Sequence, residues 1–195
     1  MKAYINLGAA LENTGRTELA IECYRKVIQI NPKEFRAHYN LGNILDKVGR
    51  SKEAIESFTE VLRINPRHAL THFNIGNAYD NLGNNYKAIE SYRNSIKIDP
   101  KFADAYHNMA YCLSTIGNFE EALVNYQKAV ELNPNIENSY ENIQLLLRKK
   151  KCKKINSLKK SMKSLKTIIY KNPDNQRAKD TIAVLQNEID TNQKW

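Results

Sequence analysis

Residues 35–68 read FRAHYNLGNILDKVGRSKEAIESFTEVLRINPRH, and residues 69–102 read ALTHFNIGNAYDNLGNNYKAIESYRNSIKIDPKF. Set one above the other, the two stretches agree at Asn40 and Asn74, Gly42 and Gly76, Asn43 and Asn77, Gly49 and Gly83, and Ala54 and Ala88. The bulky residues Phe58 and Tyr92 follow four places later, and Pro66 and Pro100 close the blocks. The same frame extends outward to residues 1–34 and 103–136, because Pro32, Pro66, Pro100 and Pro134 stand 34 residues apart without a slip. One period repeated four times is the signature of a solenoid or array of small units.

Each column has a physical reason. Apolar residues at the seventh and eleventh places of every block, with a ring at the fourth, follow the three-and-four spacing of one helix face, so the first half of each block is predicted to be an amphipathic helix. Glycine at the fifteenth place (Gly15, Gly49, Gly83, Gly117) ends that helix. A second helix then runs to the Asn-Pro or Asp-Pro step, where the residue before proline is driven out of helical geometry. Small residues at the eighth place (Gly8, Gly42, Gly76, Ala110) and at the twentieth (Ala20, Ala54, Ala88, Ala122) let the two helices approach closely. The bulky residue at the twenty-fourth place (Tyr24, Phe58, Tyr92, Tyr126) lies across that contact. A pair so thin cannot cover its own apolar face, so the pairs must stack.

These residues carry a resemblance to the tetratricopeptide repeat family, and it spans residues 1–136. The family's aromatic at the fourth place is met by Tyr4, Tyr106 and Tyr140 but replaced by His38 and His72, which are expected to be packing residues rather than metal ligands. The resemblance implies an all-α, right-handed solenoid of antiparallel helix pairs, with repeats at 1–34, 35–68, 69–102 and 103–136. A degenerate fifth repeat with a basic insertion is expected over 137–173, broken in the lysine run from Arg148 to Lys154, followed by a capping helix over 174–190. Residues 191–195 are expected to fray. At the front, the first helix is already running at Met1. Repeat 1 is therefore expected to leave an apolar edge exposed, to be covered by another chain, or to continue a longer array.

The 195 residues are 42% apolar, enough to bury a core without disulfides or metals. No long apolar run suggests a membrane span, and the start lacks the layout of a secretory signal. Cys23, Cys112 and Cys152 are odd in number and far apart, which suits small buried hydrophobes in a reducing compartment. An intracellular, cytoplasmic protein is expected. No Gly-rich phosphate loop, H-E-x-x-H pair or nucleophile elbow is present, so neither enzymatic activity nor a cofactor is expected.

In the architecture that the family resemblance implies, places 2, 5, 6, 9, 12 and 13 of each repeat face a concave groove. Place 6 is asparagine five times running: Asn6, Asn40, Asn74, Asn108 and Asn142. Asn43 and Asn77 stand at place 9. An amide both donates and accepts, so a ladder of asparagines suits the main chain of an extended peptide whatever its sequence. Tyr39, Phe73, His107 and Tyr111 stand around the ladder, and Glu12, Asp46 and Asp80 form an acidic column. A protein or peptide partner in that groove is the expected function, and alanine at Asn40, Asn74 and Asn108 is expected to weaken binding while leaving the fold's stability nearly unchanged. The ladder is also similar to the repeat region of protein O-linked N-acetylglucosamine transferases, which makes a repeat fragment of such an enzyme the alternative. Chaperone adaptors of the family clamp a C-terminal carboxylate with cations at three places that are here Tyr39, Asp104 and Asn108, so chaperone-tail binding is not expected.

Charge divides the chain. Up to Pro134 there are 16 Lys/Arg against 15 Asp/Glu, and beyond it 14 against 6. From Asn142 to Pro173 eleven cations stand with no acid. This block, with Lys149, Lys150, Lys151, Lys153 and Lys154 at its centre, is a candidate contact for nucleic acid or an anionic membrane surface.

Overall fold

In the computed structural model, which describes residues 2–193, every regular element is an α-helix. The elements are α1 (Lys2–Asn13), α2 (Thr17–Ile30), α3 (Phe35–Lys47), α4 (Ser51–Ile64), α5 (Ala69–Asn81), α6 (Asn85–Ile98), α7 (Ala103–Thr115), α8 (Phe119–Leu132), α9 (Ser139–Lys171) and α10 (Gln176–Gln193). The chain divides into two compact units, one reaching Tyr140 and the other beginning at Glu141.

In the first unit each predicted pair forms: α1 packs on α2, α3 on α4, α5 on α6, and α7 on α8. Helices α2, α4 and α6 each also pack on the next first helix, which makes the unit a right-handed α-solenoid of antiparallel pairs. The turn inside each pair is a Schellman-type cap. At Gly49 φ is +80°, a conformation that costs a side chain strain, and the Arg50 N–H donates to the Leu45 carbonyl at 2.8 Å. The turn between pairs is held by the residue before proline. Asn31, Asp99 and Asn133 each accept a hydrogen bond through Oδ1 from the backbone N–H two residues on, at 3.0–3.1 Å.

The core is the contact between places 8, 20 and 24. Tyr24, Phe58, Tyr92 and Tyr126 are buried, as are Ala20, Ala54, Ala88 and Ala122. A Cβ placed on Gly42 would lie 2.5 Å from Phe58 Cε1. The aromatic ring therefore lies flat against backbone, where any side chain would intrude. His38 and His72 bond through Nε2 to the carbonyls of Pro32 and Pro66, at 2.9 and 3.1 Å, so they tie the start of a repeat to the turn before it.

The reading of residues 137–173 needs correction. A break in the lysine run does not occur, and no second antiparallel pair forms there: α9 is one helix of 33 residues from Ser139 to Lys171. In the repeat frame Lys151 stands where Gly15, Gly49, Gly83 and Gly117 turn the earlier repeats. With neither glycine nor proline between 139 and 171, nothing stops the helix. The second unit is thus α9 from Glu141 onward together with α10. The terminal helix runs through Gln193, beyond the fraying expected from residue 191. Met1, Lys194 and Trp195 lie outside the described residues.

Gly42→Ala is expected to destabilise the protein. Overpacking against a buried ring costs about 1–3 kcal/mol, which outweighs the gain of about 1 kcal/mol in helix propensity. The loss should shrink in a Phe58→Leu background, and equal losses in both backgrounds, read from urea midpoints, would contradict the contact.

Candidate functional site

The first helices α1, α3, α5 and α7 lie side by side, and polar residues at places 6, 9, 12 and 13 join them. Asn74 on α5 donates through Nδ2 to Asn43 Oδ1 on α3 at 2.8 Å, and to the Tyr39 hydroxyl at 3.1 Å. One repeat on, Asn108 on α7 donates to Asn77 Oδ1 on α5 at 2.9 Å. The ladder is therefore a set of interlocked pairs: place 6 of one repeat reaches back to place 9 of the repeat before. Each pair consumes one donor and one acceptor. Among the described residues no partner meets Oδ1 of Asn74 or Asn108, or Nδ2 of Asn43 or Asn77, so each pair still offers one acceptor and one donor.

Buried tyrosines join the ladder from below. The Tyr92 hydroxyl donates to Asn77 Oδ1 at 2.8 Å, and burial raises its pKa far above the usual phenol range. Phe58 has no hydroxyl to offer, and the Tyr39 hydroxyl accepts from Asn74 there instead. At the first junction place 9 is Ala9, so the buried Tyr24 hydroxyl finds no acceptor among the described residues; burial raises its pKa, and the Asn40 amide beside it pulls the other way. Asn6, in the first repeat, is exposed.

The acidic column also has partners. Asp46 accepts from Ser51 Oγ at 2.6 Å and from Asn81 Nδ2 at 3.2 Å, which braces α3 to α5. Asp80 accepts from the Cys112 thiol at 3.4 Å, and burial first, then the carboxylate, pushes that thiol up to about 12. Glu12 meets Lys47 at 3.8 Å. These acids brace one repeat to the next, so their charge is already engaged. Cys23 and Cys112 are buried as expected, while Cys152 on α9 is exposed.

Place 5 is half-buried rather than open. Tyr39 packs on Phe58 and His68 at ring distances of 6.0 and 5.6 Å, and Phe73 on Phe102 at 4.7 Å. His107 stacks edge-on against Tyr126 and bonds through Nδ1 to Ser139 Oγ at 2.6 Å. Burial holds its imidazole below the ordinary histidine range, against an opposing pull from Asp104. Tyr111, at 52% exposure, is the aromatic of the set that stands most open. Lys149, Lys150, Lys151, Lys153 and Lys154 all fall on α9 in the second unit, and Lys154 pairs with Glu188 at 2.9 Å.

Asn81 and Ser139 do not figure in the sequence reading of this face, and Cys112 figures there only as a buried residue. Asn81 could have figured, since place 13 belongs to the same face. The expectation that alanine at Asn40, Asn74 and Asn108 spares the fold also changes, because Asn74 and Asn108 each span two repeats.

A polar ladder on the first helices of a stacked-pair solenoid defines a helical-repeat protein. The tetratricopeptide repeat family matches residues 35–68, 69–102 and 103–136, a second profile of the same repeat matches residues 8–49, and the chain belongs to that family. No curated protein sequence matches the chain. Among solved structures, the MamA protein superposes with a TM-score of 0.72 and 23% identity, over 76% of this chain and 81% of that one. YrrB, described as a TPR protein with an unusual peptide-binding site, gives 0.66 and 22%, over 90% and 88%. The first TPR of Spaghetti (RPAP3), bound to the HSP90 peptide SRMEEVD, gives 0.57 and 21%, over 59% and 91%.

Two outcomes follow from this geometry. Tyr24→Phe is expected to leave stability unchanged or raised, whereas Tyr92→Phe should cost roughly 0.5–1.5 kcal/mol; equal losses in denaturant melts would contradict the pairing. Because folding holds the His107 pKa down, the unfolded chain binds more protons than the folded one in and below the ordinary histidine range. Stability should therefore fall on acidification through that range, and the fall should be smaller in His107→Gln, as urea midpoints on either side of that range would record.

Proposed function

We propose that this chain is a non-catalytic interaction scaffold that holds an extended segment of a partner protein across the first-helix face of repeats 1–4, in a concave groove. The observation that carries the reading is the ladder of interlocked asparagines, each pair leaving one carbonyl oxygen and one N–H open. Backbone N–H and C=O groups of an extended peptide need that combination, and they need no particular side chain. Because the pairs are already locked to each other, little side-chain entropy remains to be lost on binding. Tyr111 supplies an amphipathic anchor beside the ladder. Two solved structures of the same fold are described with peptide-binding sites or a bound peptide, in keeping with this use of the architecture.

The partner need not carry a C-terminal carboxylate. The clamp positions hold Tyr39, Asp104 and Asn108, none cationic, and Asn74 is engaged with Asn43. A repeat fragment of a glycosyltransferase is the weaker reading, since no feature of the fold calls for a catalytic half.

The test selects peptides from a random display library against residues 1–195 and compares variants by fluorescence anisotropy. Asn6 and Tyr111 are exposed and span no repeats, so Asn6→Ala with Tyr111→Ala should weaken the selected peptide about tenfold, a loss of order 1.4 kcal/mol, without moving the melt. The HSP90 peptide SRMEEVD should bind no better than a scrambled control. Undiminished affinity in the double variant, or tight binding of SRMEEVD, would contradict the reading.

A further inference from the structure

The second unit carries a groove that the repeat face does not explain. Along one flank of the seam between α9 and α10 lie two hollows. One, of about 650 Å3, is lined by Arg148, Ile155, Lys159 and Asn192 among others. The other, of about 450 Å3, is lined by Lys159, Met162, Lys163, Lys166, Gln186 and Ile189. Lys159 borders both, so the two hollows follow one another along the same flank of the seam. Arg148 and Lys166 are separated by five helical turns, roughly 27 Å, and Lys159 and Lys163 project within about 60° of them.

The floor is apolar and recessed: Met162 is 7% and Ile189 2% exposed. The rim is cationic, and no carboxylate lines either hollow. Arg148, Lys159, Lys163 and Lys166 enter no ion pair among the described residues, while Lys154, which pairs with Glu188 on α10, lies on a different side of α9. Lysine stems extend the apolar walls while their ammonium groups stay in water.

We propose that this groove is a second docking site, for an acidic amphipathic helix of a partner protein. Such a helix would lay its apolar stripe on Ile155, Met162 and Ile189 and set its carboxylates against Arg148, Lys159, Lys163 and Lys166, turning a two-helix seam into a three-helix one. The recessed floor decides against the other anionic partners. A nucleic-acid backbone gains nothing from an apolar floor and asks for stacking aromatics, and no aromatic among the described residues lines either hollow. A membrane surface needs apolar side chains that protrude past the cations, whereas Met162 and Ile189 lie recessed beneath them.

The probe is an 18-residue peptide with leucine on one helical face and glutamate elsewhere, titrated into the full chain by anisotropy and circular dichroism. A scrambled peptide of the same composition, phosphatidylserine vesicles and a 20-base-pair duplex are run beside it. The amphipathic peptide should bind and gain helicity, the scrambled one should bind far more weakly, and the triple variant Lys159→Gln, Lys163→Gln, Lys166→Gln should lose about tenfold, the size expected of three surface ion pairs. These lysines are exposed, so the melt should not move. Equal binding of amphipathic and scrambled peptides would overturn the proposal. So would an affinity for duplex or vesicles that exceeds the peptide's and is lost in the same variant, or a peptide affinity that the variant leaves intact.

Discussion

The structure depends on an aromatic ring lying against a backbone that carries no side chain. Phe58 over Gly42 and Tyr92 over Gly76 bring two helices closer than any Cβ would allow, and Tyr24 over Gly8 does the same in the first pair. Dispersion and burial favour that approach only if the ring is fully enclosed, as it is at each of these places. The neighbouring alanines at place 20 keep the second helix equally slim. The lengths of both helices, the left-handed glycine and the proline turn repeat with this contact every 34 residues, and the fourth pair keeps the period with the small Ala110 at place 8 and Tyr126 buried.

The same contact explains the polar face. A tyrosine ring pressed on the first helix reaches through to its far side, where the Tyr92 hydroxyl meets Asn77. The asparagine thus fixed presents its oxygen to the next repeat, and Asn108 completes the pair. Buried polar atoms demand partners, and here the partners are supplied across repeat boundaries, so the face that offers amides outward is also what ties the stack together. The pattern varies where its members change. Phe58 drops the hydroxyl and Tyr39 compensates, while Ala9 drops the acceptor and leaves Tyr24 without one.

Much of this was legible in the sequence, because each element from α1 to α8 is marked by residues that act locally: glycine for the turn, Asx-Pro for the stop, small against large for the packing. The asparagines at places 6 and 9 were visible as a face. Their pairing was not, since residues 31 apart bond only once helix positions and rotamers are set, and the acidic column likewise read as open charge when Asp46 is held by Ser51 and Asn81. The sequence suggests two helices where α9 is one, because Pro173 follows Pro134 by 39 residues instead of 34, as if residues had been inserted. Lys151 in the glycine column was the better guide: without a residue that tolerates positive φ, charge alone does not end a helix.

The asparagine pairs brace the repeats and still have groups to offer. Side-chain amide resonances of Asn43, Asn74, Asn77 and Asn108, followed by NMR hydrogen exchange with and without a bound extended peptide, address that directly. Slow exchange at Asn74 and Asn108 in both states, with new protection at Asn43 and Asn77 only in the complex, is the predicted result. Solvent-like exchange at all four amides, or protection confined to α2, α4, α6 and α8, would contradict it.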